Sequence, residues 1–165
     1  MKFLIVLISA ISINTLSIDL STVRNAYKKA AQDHTKVKTF NNLLLKITKK
    51  DKAALVAYKG AAIALLARQE KKVKDKKKLF LEGVSYVEYA IEKSSNNIEV
   101  RFVRLGIQEN TPKLLKYKNH IEEDKQFILK HFKDITSSNL KYHIKDYILQ
   151  SKAFSDEEKI VISSQ

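Results

Sequence analysis

The sequence predicts an all-α fold of helical hairpins stacked antiparallel, about seven helices and a short terminal one, behind an N-terminal signal segment. Three observations carry this. The 165 residues include only 3 Gly and 1 Pro, too few for the tight turns of an all-β chain. Apolar residues recur at spacings of three and four, the period of one helix face. Between these runs stand short clusters of Ser, Asn, Asp and Thr, which bond their own backbone and favour caps and turns. Breaks this short make sequence neighbours antiparallel.

The first seventeen residues stand apart. Met1-Lys2 is a short basic start, and Phe3 to Ile13 is an apolar run broken only by Ser9 and Ser12. That run is too short for a hydrocarbon layer that takes about 20 apolar residues to cross. A charged start, an apolar middle and a small-residue exit are the parts of a secretory signal. Cleavage fits with Ala10 and Ser12 at the −3 and −1 positions, or with Thr15 and Ser17 there; Asp19 opens a new polar pattern, which favours the second. The expectation is a signal peptide over 1–17 and a single helical domain over 18–165, exported to a periplasmic or extracellular location, with no transmembrane span in the mature chain. The absence of Cys excludes disulfides, thiolate zinc sites and a cysteine nucleophile. A domain of this size can rest on its hydrophobic core alone.

The helices follow in order. The first covers about Leu20 to Asp33, capped by Asp19 or Ser21, with Val23, Ala26, Tyr27 and Ala30 on one face. The second spans Val37 to Thr48, with Val37, Phe40, Leu44 and Ile47 in register. Asp51 is expected to cap the third, Lys52 to Glu70, whose many alanines predict a central helix that neighbours approach closely. The fourth runs from Lys76 to Lys93 and ends at Ser94-Ser95-Asn96-Asn97. Asn97 caps the fifth, Ile98 to Glu109. Thr111 as cap and Pro112 at the first helical position are expected to open the sixth, Lys113 to Lys133. Ser137-Ser138-Asn139 precedes the seventh, Leu140 to Lys152. Ser155-Asp156-Glu157-Glu158 is a capping box for the last.

From about Leu55 to Phe132, this order of helix, turn, helix and Asn-containing break resembles tetratricopeptide repeats. Tyr58, Ala61, Ala62 and Leu65 resemble a first repeat helix; Gly83, Val87 and Ala90, then Ser94 to Asn97, resemble a second helix and its exit. The chain departs from the family in its long link, Glu70 to Lys76, and in Ser95 where Pro follows the second helix. The resemblance implies a short right-handed array serving as a binding scaffold without catalysis. The stretch Arg101 to Phe132 also resembles uncharacterised exported helical proteins of flavobacterial type, a likeness that implies no activity. Gly60, Gly83 and Gly106 recur every 23 residues, but their flanks do not repeat.

The formal charge is +13, yet only four of the 31 basic residues are Arg: Arg24, Arg68, Arg101 and Arg104. Nucleic-acid readers lean on the bidentate fork of Arg, so nucleic acid is not the expected partner. The densest cluster, Lys71 to Lys78, reads as a solvated connection between helices, with an anionic envelope component as the functional alternative.

Catalytic and metal motifs are missing. The four histidines form no His-Glu-x-x-His, and His120 with Glu123 is a single reversed pair. His131, on the apolar side of its helix, is expected as a satisfied core or boundary histidine. No nucleophile motif occurs. The expectation is therefore no enzyme, no metal and no cofactor.

One constellation remains. On the fifth helix Arg101, Arg104 and Gln108 form a narrow polar stripe between Val100, Val103 and Ile107 on one side and Ile98, Phe102 and Leu105 on the other. On the sixth, Asp124 lies within the apolar stripe of Leu114, Tyr117, Ile121, Ile128 and His131. A charge in an apolar stripe normally has a partner. Two readings follow: an internal ion pair that fixes helix register, or an anion site in which Arg101, Arg104 and Gln108 hold a carboxylate or phosphate. Glu123, one position round the helix, is expected as an ordinary surface residue. Tyr58, Tyr86 and Tyr89 are expected as exposed aromatics lining a groove for a protein or peptide. The function expected is thus an exported, non-catalytic binding or scaffold protein. The alternatives are an anion or small-ligand carrier using the arginine stripe, and a hydrolase whose carboxylates meet only in space.

Overall fold

The computed structural model describes residues 18–165, and the expected signal segment lies outside the described residues. Eight α-helices occur among the described residues and no strand: α1 Leu20–Gln32, α2 Val37–Leu43, α3 Ala53–Ala67, α4 Val73–Lys93, α5 Ile98–Asn110, α6 Ile121–His131, α7 Ser138–Gln150 and α8 Asp156–Ser163.

α3 is the centre. It packs against α1, α2, α4 and α5, and is buried without a break from Ala54 to Ala64. Its tightest neighbour is α4, and glycine sets that approach. A Cβ on Gly60 would lie 2.5 Å from the Gly83 carbonyl oxygen, and one on Gly83 would lie 2.6 Å from that of Gly60. Only hydrogen fits between the two backbones. Two of the three evenly spaced glycines thus meet at one helix crossing, while Gly106 lies under the Tyr27 hydroxyl.

Local chemistry explains most helix ends. Asp19 caps α1, accepting from Thr22 N at 3.1 Å. Asn97 caps α5, accepting from Glu99 N at 2.9 Å and Val100 N at 3.2 Å. Ser155 and Glu158 form the expected capping box on α8. Other ends differ from expectation. α2 stops at Leu43, not Thr48; Leu44 and Ile47 are still buried, but from a turn. Asp51 closes that turn by accepting from Thr48 N at 2.8 Å, so Lys52 precedes α3 without a side-chain cap. α3 ends at Ala67, and α4 begins at Val73. The lysines from Lys74 to Lys78 therefore ride on the exposed first turns of α4 and are not a linker.

The largest correction is α6. Thr111 does not open it. Its hydroxyl donates to Ile107 O at 2.6 Å and closes α5. Pro112 is extended, a 3-10 turn covers Lys113–Leu115, and Lys116 is left-handed with φ 50. Leu114 is 89% exposed, so burial offers nothing for helix there. The helix starts where Glu122, Glu123 and Asp124 fill its first turn, next to the partial positive charge of its N-terminus.

Tyr58, expected at the surface, is fully buried on α3 and meets Tyr27 edge-on at 5.4 Å, because neighbours cover every face of that helix. α1 also reaches α7, so the succession of hairpins folds back on its own beginning.

Candidate functional site

The arginine stripe holds a carboxylate, and it is the protein's own. α5 and α6 face each other so that Arg104 donates from Nε to Asp124 Oδ2 at 2.8 Å and from NH2 to Oδ1 at 2.7 Å. Arg101 donates to Asp124 Oδ1 at 3.1 Å and, through Nε, to Ser95 O at 2.8 Å. Gln108 Nε2 donates to Asp124 Oδ2 at 3.0 Å, while its Oε1 accepts from His120 N at 2.8 Å. Asp124 is 0% exposed and Arg104 is 3% exposed. Four donors on one dry carboxylate form the internal ion pair that the stripes allow.

Two further acids join this network. Glu88 of α4 accepts from Arg104 NH1 at 3.3 Å and from the Tyr117 hydroxyl. Glu123 accepts from Arg101 and from His120 Nδ1. It is therefore not an ordinary surface residue. The Arg101 bond, helped by His120, holds its carboxyl down at about 2. Burial works to lower the pKa of Arg104, but the Asp124 pair outweighs it and the guanidinium is held charged. Burial and the Glu88 bond together raise the Tyr117 hydroxyl well above its ordinary value.

A second node of the same design joins the first turn of α5 to α1. Arg24 of α1 forks onto Glu99, with Nε and NH2 each 2.7 Å from a carboxylate oxygen, and NH1 donates to Asn139 at 3.0 Å. The sequence reading missed it, although its own rule applies: Glu99 shares a helix face with Phe102, Val103 and Gly106. Beside this node lie two buried groups with unpartnered atoms, the Tyr58 hydroxyl and His143 Nε2. Burial, then Arg24 and Lys28, hold the His143 imidazole down at about 4.

The other expected site residues do not converge. Tyr86 and Tyr89 are half-buried on α4, and Lys49 Nζ lies over both rings, 5.5 and 4.8 Å from their centres. Tyr58 is on a different helix, inside the core. His131 sits at the boundary and pairs with Asp134 at 3.3 Å. No group of three or more potential metal ligands occurs among the described residues.

A cavity that no sequence motif announced lies between α1, α3, α4, α5 and the turn after α5. Its volume is about 330 Å³. Ala31, Ala61, Ala64, Ala67, Leu65 and Phe80 form much of its wall. In the opposite wall two polar side chains are spent internally, Thr111 Oγ1 on Ile107 O and Asn110 Nδ2 on Gly106 O at 2.9 Å, while the Tyr27 hydroxyl lines the cavity with no hydrogen bond among the described residues. Arg68 and Lys76 also line the cavity. Both are exposed, so they stand at its mouth. Small alanines on the inner side of α3 leave this space, and the 3-10 turn Lys113–Leu115 brings Leu115 in to close one side. Compared with protein-family models, curated proteins and solved structures, the chain matches none, so its function is read from its own residues.

Proposed function

We propose that this chain is an exported, non-catalytic binding protein that takes an apolar group into the cavity between α1, α3, α4 and α5. The carrying observation is the wall itself: mostly small and aliphatic side chains, with Thr111 and Asn110 already bonded to backbone carbonyls and the Tyr27 hydroxyl beside them. Small-molecule sites are of this kind, concave and mostly apolar, with volumes of about 300–1,000 Å³. Among the described residues the cavity is lined by no carboxylate and no imidazole, the side chains acid–base catalysis most often uses. The expected export rests on the charged start and apolar run of residues 1–17.

The test is calorimetric titration with 1-octanol, a neutral single-chain probe. Saturable binding with a negative heat-capacity change is expected, since apolar surface is buried. Leu115→Asp places a carboxylate in the wall and should abolish it. Leu114→Asp, next door but 89% exposed and outside the cavity, should leave it intact. Absence of saturable binding, or equal binding by both variants, overturns the reading.

A further inference from the structure

We propose that the ligand of this cavity is an anionic single-chain amphiphile, an alkyl carboxylate or alkyl phosphate, with its tail between the alanines and its head group at Arg68 and Lys76. This rests on the cavity reading above and adds the head group to it. Among the described residues two cations and no acid line the cavity, which gives its mouth a positive field. Arg68 is also the exception among the arginines. Arg24, Arg101 and Arg104 each hold a carboxylate, whereas Arg68 forms no ion pair among the described residues. Its planar fork matches a carboxylate or phosphate and is free to take one.

The tail follows from size and wall. A cavity of about 330 Å³ stands at the small end for ligand sites, which favours one chain over two. Four alanines along the wall keep it smooth, and the Tyr27 hydroxyl is a lone polar group facing them, too little to satisfy a polar chain. An amphiphile of this kind satisfies both ends at once: the apolar part leaves water, and the charge stays at the exposed rim.

The experiment compares octanoate, octyl phosphate and 1-octanol by calorimetry at low salt, below their micellar range. The anions should bind at least about tenfold more tightly than the alcohol, the size of one charge-assisted hydrogen bond. Arg68→Gln with Lys76→Gln, both exposed positions, should remove that advantage and leave octanol unchanged. Raising the salt should shrink it too, since the rim is open to ions. From hexanoate upward each methylene should tighten binding about fourfold until the cavity is full. The two anions separate the head groups: preference for either supports the proposal and names the ligand. Octanol binding as tightly as both anions overturns the head-group assignment while leaving the cavity reading intact. An anion affinity unchanged in the double variant does the same. Failure of all three probes to bind removes both.

Discussion

Removing the Asp124 carboxylate tests the network that joins α5 to α6. Asp124→Ala takes away four hydrogen bonds at once, two from Arg104, one from Arg101 and one from Gln108. An exposed pair is worth about 0–1 kcal/mol, and breaking a buried pair from one side costs about 3–5 kcal/mol. Two features place this site within that range. Asp124 is fully buried and Arg104 nearly so, which removes the rescue that water offers a stranded charge. Against that, Glu88 stays 3.3 Å from Arg104 and Glu123 stays on Arg101, so neither guanidinium loses all its counter-charge. The expected loss is about 3 kcal/mol. Glu123→Ala removes a half-exposed carboxylate and should cost about 1 kcal/mol, because solvent screens its bonds. Urea unfolding of both variants gives the comparison. Adding Arg104→Leu to Asp124→Ala should cost about 2 kcal/mol less than the two single losses together, since the stranded cation is gone. Additivity, or an Asp124→Ala loss no larger than that of Glu123→Ala, would refute the reasoning.

Three further outcomes are expected. His143 titrates near 4 in the folded chain, below its ordinary 6.5, so the unfolded chain takes up this proton first; stability is whole above pH 6.5 and falls by up to about 3 kcal/mol towards pH 4, and His143→Gln should flatten that limb of a pH-dependent unfolding series. The Glu123 contribution is lost only below about 4.5, so the two windows separate. Gly83→Ala sets a Cβ 2.6 Å from one backbone atom and 2.8 Å from another, which no rotamer relieves; it should cost about 3 kcal/mol in thermal unfolding, against about 1 for Gly106→Ala, where only the end of Tyr27 must move. Mass spectrometry of the native protein should find its N-terminus at Ile13 or Ile18, and an intact Met1 in soluble cytosol would contradict export.

What was legible in the sequence is what local chemistry decides. Asn97 and the Ser155–Glu158 box mark helix starts because a cap is a bond between residues two or three apart. The α5 and α6 stripes gave the Asp124 pair as one of two readings, because a buried charge needs a partner wherever the chain takes it. The start of α6 was misread because Pro112 satisfies the rule for a first helical position, yet the acidic turn nine residues on decides where the helix begins. Tyr58 was misplaced because its exposure depends on what packs around α3, and an alanine-rich helix with no polar side gives little sign of which face is free. His143 and the cavity lay beyond reach for the same reason: each is assembled from elements distant in sequence, and no spacing records it.

The Arg24 node bears on time as well as on strength. Arg24 reaches 75 residues along the chain to Glu99 and 115 to Asn139. The α3–α4 hairpin, by contrast, closes across a five-residue link and has little chain entropy to overcome. Loop-closure cost rises with span, so the local contacts are expected to form early and the clasp between α1, α5 and α7 after the folding barrier. An interaction made after the barrier leaves the folding rate alone and sets how long the native state lasts once formed. Arg24→Leu should therefore steepen the loss in unfolding experiments, with unfolding faster and refolding hardly changed. Arg24 thus ties the first helix to the fifth and the seventh, and its loss is expected to shorten the life of the fold.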